Sequence, residues 1–141
     1  MLLAATELGL RVYAWEELLS AEGRTPPPRF AAEAEPGEFP TSAGDTVRIA
    51  QTYTLAFDAA GRRVLFAGLD GRIRFLELES GRAGVLLDIP QRPSLTHIGL
   101  SRDGSALACA ADPNPFEQGR WKKPQEFQVW NYTEVVQASG L

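Results

Sequence analysis

"FDAAGRRVLFAGLDGRIRFLELESG", residues 57 to 81, carries three turn signals and two apolar runs in one short stretch. Asp-Ala-Ala-Gly and Leu-Asp-Gly are tight-turn chemistry, and the runs between and beyond them are strand-like. Such a unit either stands alone in a sheet or recurs at a fixed period, and recurrence implies a repeat architecture.

It recurs. Displaced by 43 residues, "YTLAFDAAGRRVLFAGLDG" (53 to 71) falls on "THIGLSRDGSALACAADPN" (96 to 114), with Leu55 on Ile98, Phe57 on Leu100, Gly61 on Gly104 and Leu65 on Ala108. Both segments read strand, turn, strand. An ungapped displacement of 63 places "MLLAATELGLRVYAW" (1 to 15) on "VLFAGLDGRIRFLEL" (64 to 78), with Leu3 on Phe66, Leu10 on Ile73 and Val12 on Phe75. The two displacements differ by about 20 residues, a surplus that falls within 19 to 48. The segments "TPPPRF", "EAEPGEFP" and "TSAGD" there read as an irregular surface connection, with room for one short strand near "RFAAEA". The ungapped alignment favours a strand through Trp15, and a helical turn over "AWEELLSAE" (14 to 22), with Trp15, Leu18 and Leu19 on one face, competes with it. In the third copy "DPNPFEQGRWKKPQ" (112 to 125) is a long loop by its proline, glycine and charge content. Beyond it Phe127, Val129 and Tyr132 resume the strand pattern, and "EVVQASGL" reads as a closing strand.

A chain of 141 residues with 44% hydrophobic and 23% charged residues is the size and composition of one globular domain. The 14 basic and 18 acidic residues leave a net charge of −4, which argues against nucleic acid as a partner. One cysteine, Cys109, cannot form an internal disulfide, and its place inside "ALACAA" predicts a buried, inert thiol. The start "MLLAATELGLRV" has no basic region and its apolar run is broken by Glu7, so neither a secretion signal nor a membrane span is expected; the expected location is cytoplasmic.

The stretch "YTLAFDAAGRRVLFAGLDGRIRFLELESG" resembles the blade of WD-repeat (WD40) β-propellers: an inner strand, a Gly-containing turn, a second strand, an Asp-containing tight turn, then the strand that bears the Trp-Asp pair. "SLTHIGLSRDGSALACAAD" continued by "FQVWNY" is similar, with Trp130 at the tryptophan position and Asn131 in place of aspartate. The other copies hold Tyr13-Ala14 and Leu76-Glu77 there. The turn aspartate falls on Asp70, with Glu7 and Asp112 at the aligned positions. The Gly-His pair that often opens a repeat is absent, and His97 lies inside a strand.

The resemblance implies an all-β fold of propeller blades, each of four antiparallel strands, in an incomplete ring of about three blades. Residues 1–19 form a partial first blade lacking its innermost strand. Residues 20–48 form the Pro-rich insertion, 49–91 the second blade, and 92–141 the third blade with its loop insertion 112–125. Asp70, Gly71, Gly61, Gly104 and Trp130 take structural turn and blade positions. Propellers close with about 4–8 blades, so three leave two open flanks, and neither carries an evident polar cap. The chain is then part of a larger propeller, or assembles with copies of itself, six blades for a dimer, or completes its ring against a different protein. An ordinary antiparallel sandwich is the competing architecture.

No catalytic constellation stands out, and neither cofactor nor metal is expected: one His and one Cys leave no ligand cluster. Ser94, His97 and Asp103 make a triad only by arbitrary choice. "AAGRR" and "LDGR" lack phosphate-loop context and read as hairpin turns. The insertion offers the candidate partner-binding loop, Phe116, Arg120, Trp121, Lys122 and Lys123, an aromatic and basic set suited to an acidic protein segment. The same residues also suit the blander reading, aromatics tucked onto the blade with solvated lysines. In the propellers that the chain resembles, residues 112–125 and 36–48 would elaborate one end of the strands. The expected function is a non-catalytic protein–protein interaction scaffold. A homodimeric six-bladed assembly subunit and an accessory part of a larger enzyme or signalling protein are the alternatives.

Overall fold

Among the described residues, tight turns between short apolar runs produce four antiparallel sheets. The computed structural model describes residues 2–6, 9–33, 37–40, 46–49, 52–89, 95–111 and 126–141. The first sheet joins β1 (Leu2–Thr6), β2 (Gly9–Tyr13) and β3 (Phe30–Glu33) in that order. A two-stranded sheet pairs β4 (Gly37–Pro40) with β5 (Thr46–Ile49). The central sheet is a four-stranded meander of β6 (Thr52–Phe57), β7 (Arg63–Gly68), β8 (Arg72–Glu77) and β9 (Ala83–Asp88). The last joins β10 (Leu95–Leu100), β11 (Ala106–Ala111) and β12 (Glu126–Asn131). Two short helices, α1 (Trp15–Ser20) and α2 (Tyr132–Ala138), follow β2 and β12.

The two middle strands of the central sheet, β7 and β8, are buried on both faces because apolar residues fall at consecutive positions, not only at alternate ones. Leu65, Ala67, Ile73 and Phe75 share a core with Leu95, Leu107, Cys109 and Ala111 of the last sheet. Val64, Phe66 and Leu76 share a second core with Leu10, Val12 and Ala32 of the first. Strand register keeps each set on its own face: Leu65 stands opposite Phe75 and Ala67 opposite Ile73, while Val64 stands opposite Leu76. Each fully buried Leu, Val or Phe contributes about 2 kcal/mol of transfer free energy, so the three sheets are held as a stack through their faces. β10 lies beside β6 and β7, and β6 lies beside β1. The Ile98 N–H donates to Thr54 Oγ1 across the first of these junctions at 3.1 Å.

The repeat of 43 is reproduced bond by bond. In the β6–β7 turn the Asp58 N–H donates to the Arg63 carbonyl at 3.0 Å and the Gly61 N–H to the Asp58 carbonyl at 2.9 Å. In the β10–β11 turn the Ser101 N–H donates to the Ala106 carbonyl and the Gly104 N–H to the Ser101 carbonyl, both at 2.9 Å. Asp58 Oδ1 accepts from the Arg63 N–H at 3.1 Å, and Ser101 Oγ accepts from the Ala106 N–H at 2.8 Å. Gly61 and Gly104 both need left-handed backbone, with φ of 64° and 72°. Even the irregularity repeats: the register shifts between Thr52 and Thr54 in β6 and between Leu95 and His97 in β10.

The second of these turns titrates unusually. Asp103 Oδ1 accepts from Ser101 Oγ at 2.6 Å, from the Ser105 N–H at 3.1 Å and from Ser105 Oγ at 2.8 Å. Ser101 first, then Ser105, pull the carboxyl from its ordinary 3.8 down to about 2. A group whose folded value lies below its unfolded one stabilises the fold above the unfolded value. The Asp103 contribution is therefore complete above pH 3.8 and is lost as the pH falls toward 2. An NMR titration of the Asp103 carboxyl should show its midpoint near 2; a midpoint at the ordinary value would mean that the serine bonds do not persist in solution.

Four expectations are corrected. The strand expected through Trp15 ends at Tyr13, and α1 begins at Trp15; the pairing of β2 runs out there, with Phe30 opposite Val12 and Leu2 opposite Tyr13. "EVVQASGL" is not a closing strand: it lies in α2 and its C-terminal turn. Asn131 caps that helix, accepting from the Glu134 N–H and donating to Glu134 Oε1, both at 3.3 Å, and Val135, Val136 and Leu141 pack on the core. The insertion 20–48 holds not only the expected short strand, β3, but also β4 and all but the last residue of β5. The displacement of 63 holds for β2 but not for β1. Leu3 stands opposite Val12, as Leu65 stands opposite Phe75, so Leu3 matches Leu65 and not Phe66. A turn one residue shorter makes the difference, and in a strand one residue exchanges the two faces.

Candidate interaction face

The last sheet has the same alternation as the central one, but the described residues cover only one of its faces. Leu95, Leu107, Cys109 and Ala111 belong to the core, with Ile98, Leu100 and Trp130 packed against it. The other face carries His97, Gly99, Ala108, Ala110, Phe127 and Val129, which register pairs across the strands: His97 with Ala110, Ala108 with Val129, and Ala110 with Phe127. Phe127 is 73% exposed and Val129 68%. Two large apolar side chains on one strand face, above small residues of the neighbouring strand, form a flat apolar surface rimmed by the exposed His97.

In the repeat this surface matches a buried one. Ala108 and Ala110 stand where the central sheet has Leu65 and Ala67. Their partners Val129 and Phe127 stand where it has Phe75 and Ile73. Trp130, opposite Leu107, takes the place of Leu76, opposite Val64. The expected blade position of Trp130 is thus a half-buried one against the core.

Asp70 and Gly71 form the β7–β8 turn, with φ of 73° at Gly71. The Asp70 carboxylate accepts from Arg74 Nη1 at 3.0 Å and Nη2 at 2.5 Å, and from the Arg72 N–H at 3.3 Å. Both side chains of the pair are buried, at 8% and 7% exposure. Arg74 shares the Phe66 and Leu76 face, where a cavity of about 270 Å³ opens between β3 and β9. It is smaller than ligand pockets usually are, and the only charged group lining it is already neutralised by Asp70. Sequence analysis passed over Arg74, although Asp and Arg four residues apart across a tight turn, with Arg72 alternating outward, were in view.

Other charged groups serve the framework. The Glu77 carboxyl is held below its ordinary value, first by the Ser80 hydroxyl at 2.9 Å and then by the Arg63 guanidinium at 3.2 Å. Burial of Tyr132 pushes its phenol upward, with Arg63 opposing the rise and Asp58 adding to it. Asp103 is committed to Ser101 and Ser105, and His97 lies on a strand face, while Ser94 is outside the described residues. Cys109 is buried. Phe116, Arg120, Trp121, Lys122 and Lys123, with the end of the strands on which 112–125 was expected, also lie outside the described residues. Among the described residues no group of three or more His, Cys, Asp or Glu comes together as a metal site, and no helix is long and apolar enough to cross a membrane.

No family model and no curated protein matches the chain. Among solved structures, the tricorn protease is similar over 66% of this chain at 16% identity and a TM-score of 0.43. The match spans 9% of that protein's length.

Proposed function

We propose that the chain is a non-catalytic association module: three WD-repeat-like blades of an incomplete β-propeller whose open flank docks a protein partner. The observation that carries this reading is the exposed Phe127 and Val129 pair at positions whose counterparts in the central sheet are buried. The bond-by-bond repetition of the β6–β7 and β10–β11 turns supports the blade reading, and the stacking of sheets through their faces supports a ring left open at its ends. The lone thiol of Cys109 suits a reducing compartment such as the cytoplasm.

The double variant Phe127→Asp/Val129→Asp tests it. Both side chains stand mostly in solvent, so unfolding free energy should change by less than about 1 kcal/mol. Binding of an apolar fluorescent dye should fall several-fold. Unfolding at the lower denaturant concentration typical of a core lesion would place these residues in the chain's own core, and unchanged dye binding would put the apolar surface elsewhere. Either result sinks the proposal.

A further inference from the structure

We infer that residues 24–29, Arg-Thr-Pro-Pro-Pro-Arg, are a docking site for a polyproline-reading partner, a protein domain whose groove is lined with aromatic side chains and rimmed by carboxylates. The inference is independent of the open face of the last sheet and rests on a different part of the chain.

Proline chemistry sets the backbone of this segment. A proline ring holds φ at about −65°, and a residue that precedes proline is pushed out of the helical region into extended backbone. Thr25, Pro26 and Pro27 each precede a proline, so Thr25 to Pro28 are confined to the left-handed polyproline II form. They lie accordingly in neither helix nor strand. A segment already in its bound shape loses little conformational entropy on docking.

Both ends of the segment are tied down. Glu22 and Gly23 leave α1 through left-handed backbone, with φ of 43° and 83°, and the Arg24 N–H donates to the Ala21 carbonyl at 2.8 Å. At the other end the Arg29 N–H donates to the Val12 carbonyl at 2.7 Å, where β3 begins to pair with β2. Between these anchors the backbone of Thr25 to Pro28 makes no hydrogen bond among the described residues. Arg24, Thr25, Pro27 and Arg29 are exposed, and Pro26 and Pro28 are half-buried.

Charge defines the partner further. The stretch from Gly23 to Ala32 holds two arginines and no acid, in a chain whose net charge is −4. The Arg29 guanidinium lies 5.5 Å from the centre of the Phe30 ring, and among the described residues neither Arg24 nor Arg29 is in an ion pair. Proline rings pack on aromatic faces, and a planar guanidinium is matched by a carboxylate. No two of these prolines stand three apart, so the segment lacks the PxxP spacing that SH3 grooves read. Adjacent prolines followed by arginine instead suit a groove of the WW kind.

A set of isolated, fluorescently labelled WW domains that read arginine-flanked prolines, titrated with the full chain, should give saturable anisotropy changes. Pro27→Ala should weaken binding about 10-fold with an unchanged circular dichroism spectrum. Arg24→Gln/Arg29→Gln keeps every proline and both backbone anchors, so it tests the site even if Pro27→Ala disturbs the fold. It should weaken binding and flatten its dependence on salt. An SH3 domain that requires PxxP should not bind.

The absence of saturable binding up to about 1 mM by any of the WW domains overturns the inference. Binding that ignores both variants places the contact elsewhere on the chain and overturns it equally. Loss with Pro27→Ala but not with Arg24→Gln/Arg29→Gln overturns the carboxylate rim, and equal binding by the SH3 domain overturns the argument from spacing.

Discussion

Asp70→Ala should lower the unfolding free energy by about 3–5 kcal/mol, among the largest effects of any single substitution in this chain. The aspartate and Arg74 are both nearly out of solvent and are joined by two parallel charge-assisted bonds. Removing the carboxylate leaves a guanidinium between the first and central sheets with no counter-charge, and the desolvation already incurred is no longer offset. The turn suffers too, since Asp70 Oδ1 also accepts from the Arg72 N–H.

The double variant Asp70→Asn/Arg74→Met separates these contributions. Asn retains an acceptor for the turn, and Met fills the arginine's volume with no charge. Its cost should stay below about 2 kcal/mol. Urea unfolding of wild type, both single variants and the double variant closes the cycle. A loss of less than about 1 kcal/mol for Asp70→Ala would mean that water reaches Arg74 through the neighbouring cavity, and the pair would then count as a surface contact.

That pair also shows where sequence legibility ended. The aspartate was found because tight turns advertise themselves. The arginine was missed because burial of a charge depends on which face of β8 is covered, and that is a property of the stack. The same distinction runs through the fold. All four strands of the central sheet, and all three of the last, were legible because their turns carry Gly and Asp at fixed offsets and their runs are apolar. β3 was anticipated near its observed place.

The misses share one cause. α2 follows a strand in which Asn131 occupies the position before its helix, and the expectation of a fourth strand overrode a capping pattern, Asn-Tyr-Thr-Glu, that was plain in the sequence. The slip on β1 likewise came from extending an ungapped alignment through a turn whose length differs by one residue. Repeat logic transfers strand identity well and turn length poorly, because the turn can shorten without loss of the core as long as apolar positions stay on their face. For the candidate site, sequence analysis noted the missing polar cap on the third copy. It singled out the basic loop as the contact surface, whereas the surface argued from the described residues is one face of the β10–β12 sheet.

Phe66→Ala and Phe127→Ala should differ by several kcal/mol although both delete a phenyl ring from a strand, in successive copies of the repeat. Phe66 is 1% exposed at the junction of the first and central sheets. Its loss removes the ring's transfer free energy and leaves a cavity that β3 and β9 cannot readily fill, which costs about 3–5 kcal/mol. Phe127 is 73% exposed, so in the isolated chain its removal should cost within about 0.5 kcal/mol. Chemical denaturation of dilute protein measures both. Repeating it over a range of protein concentrations tests whether the proposed open face is covered by self-association. A ring that becomes buried only in an assembly stabilises only the assembly, so the Phe127→Ala deficit should grow with protein concentration while the Phe66→Ala deficit grows by no comparable amount. A Phe127→Ala deficit that is small and flat at every concentration would mean that this ring stays in water in the chain's own assemblies, and any partner of the β12 face would have to be a different protein.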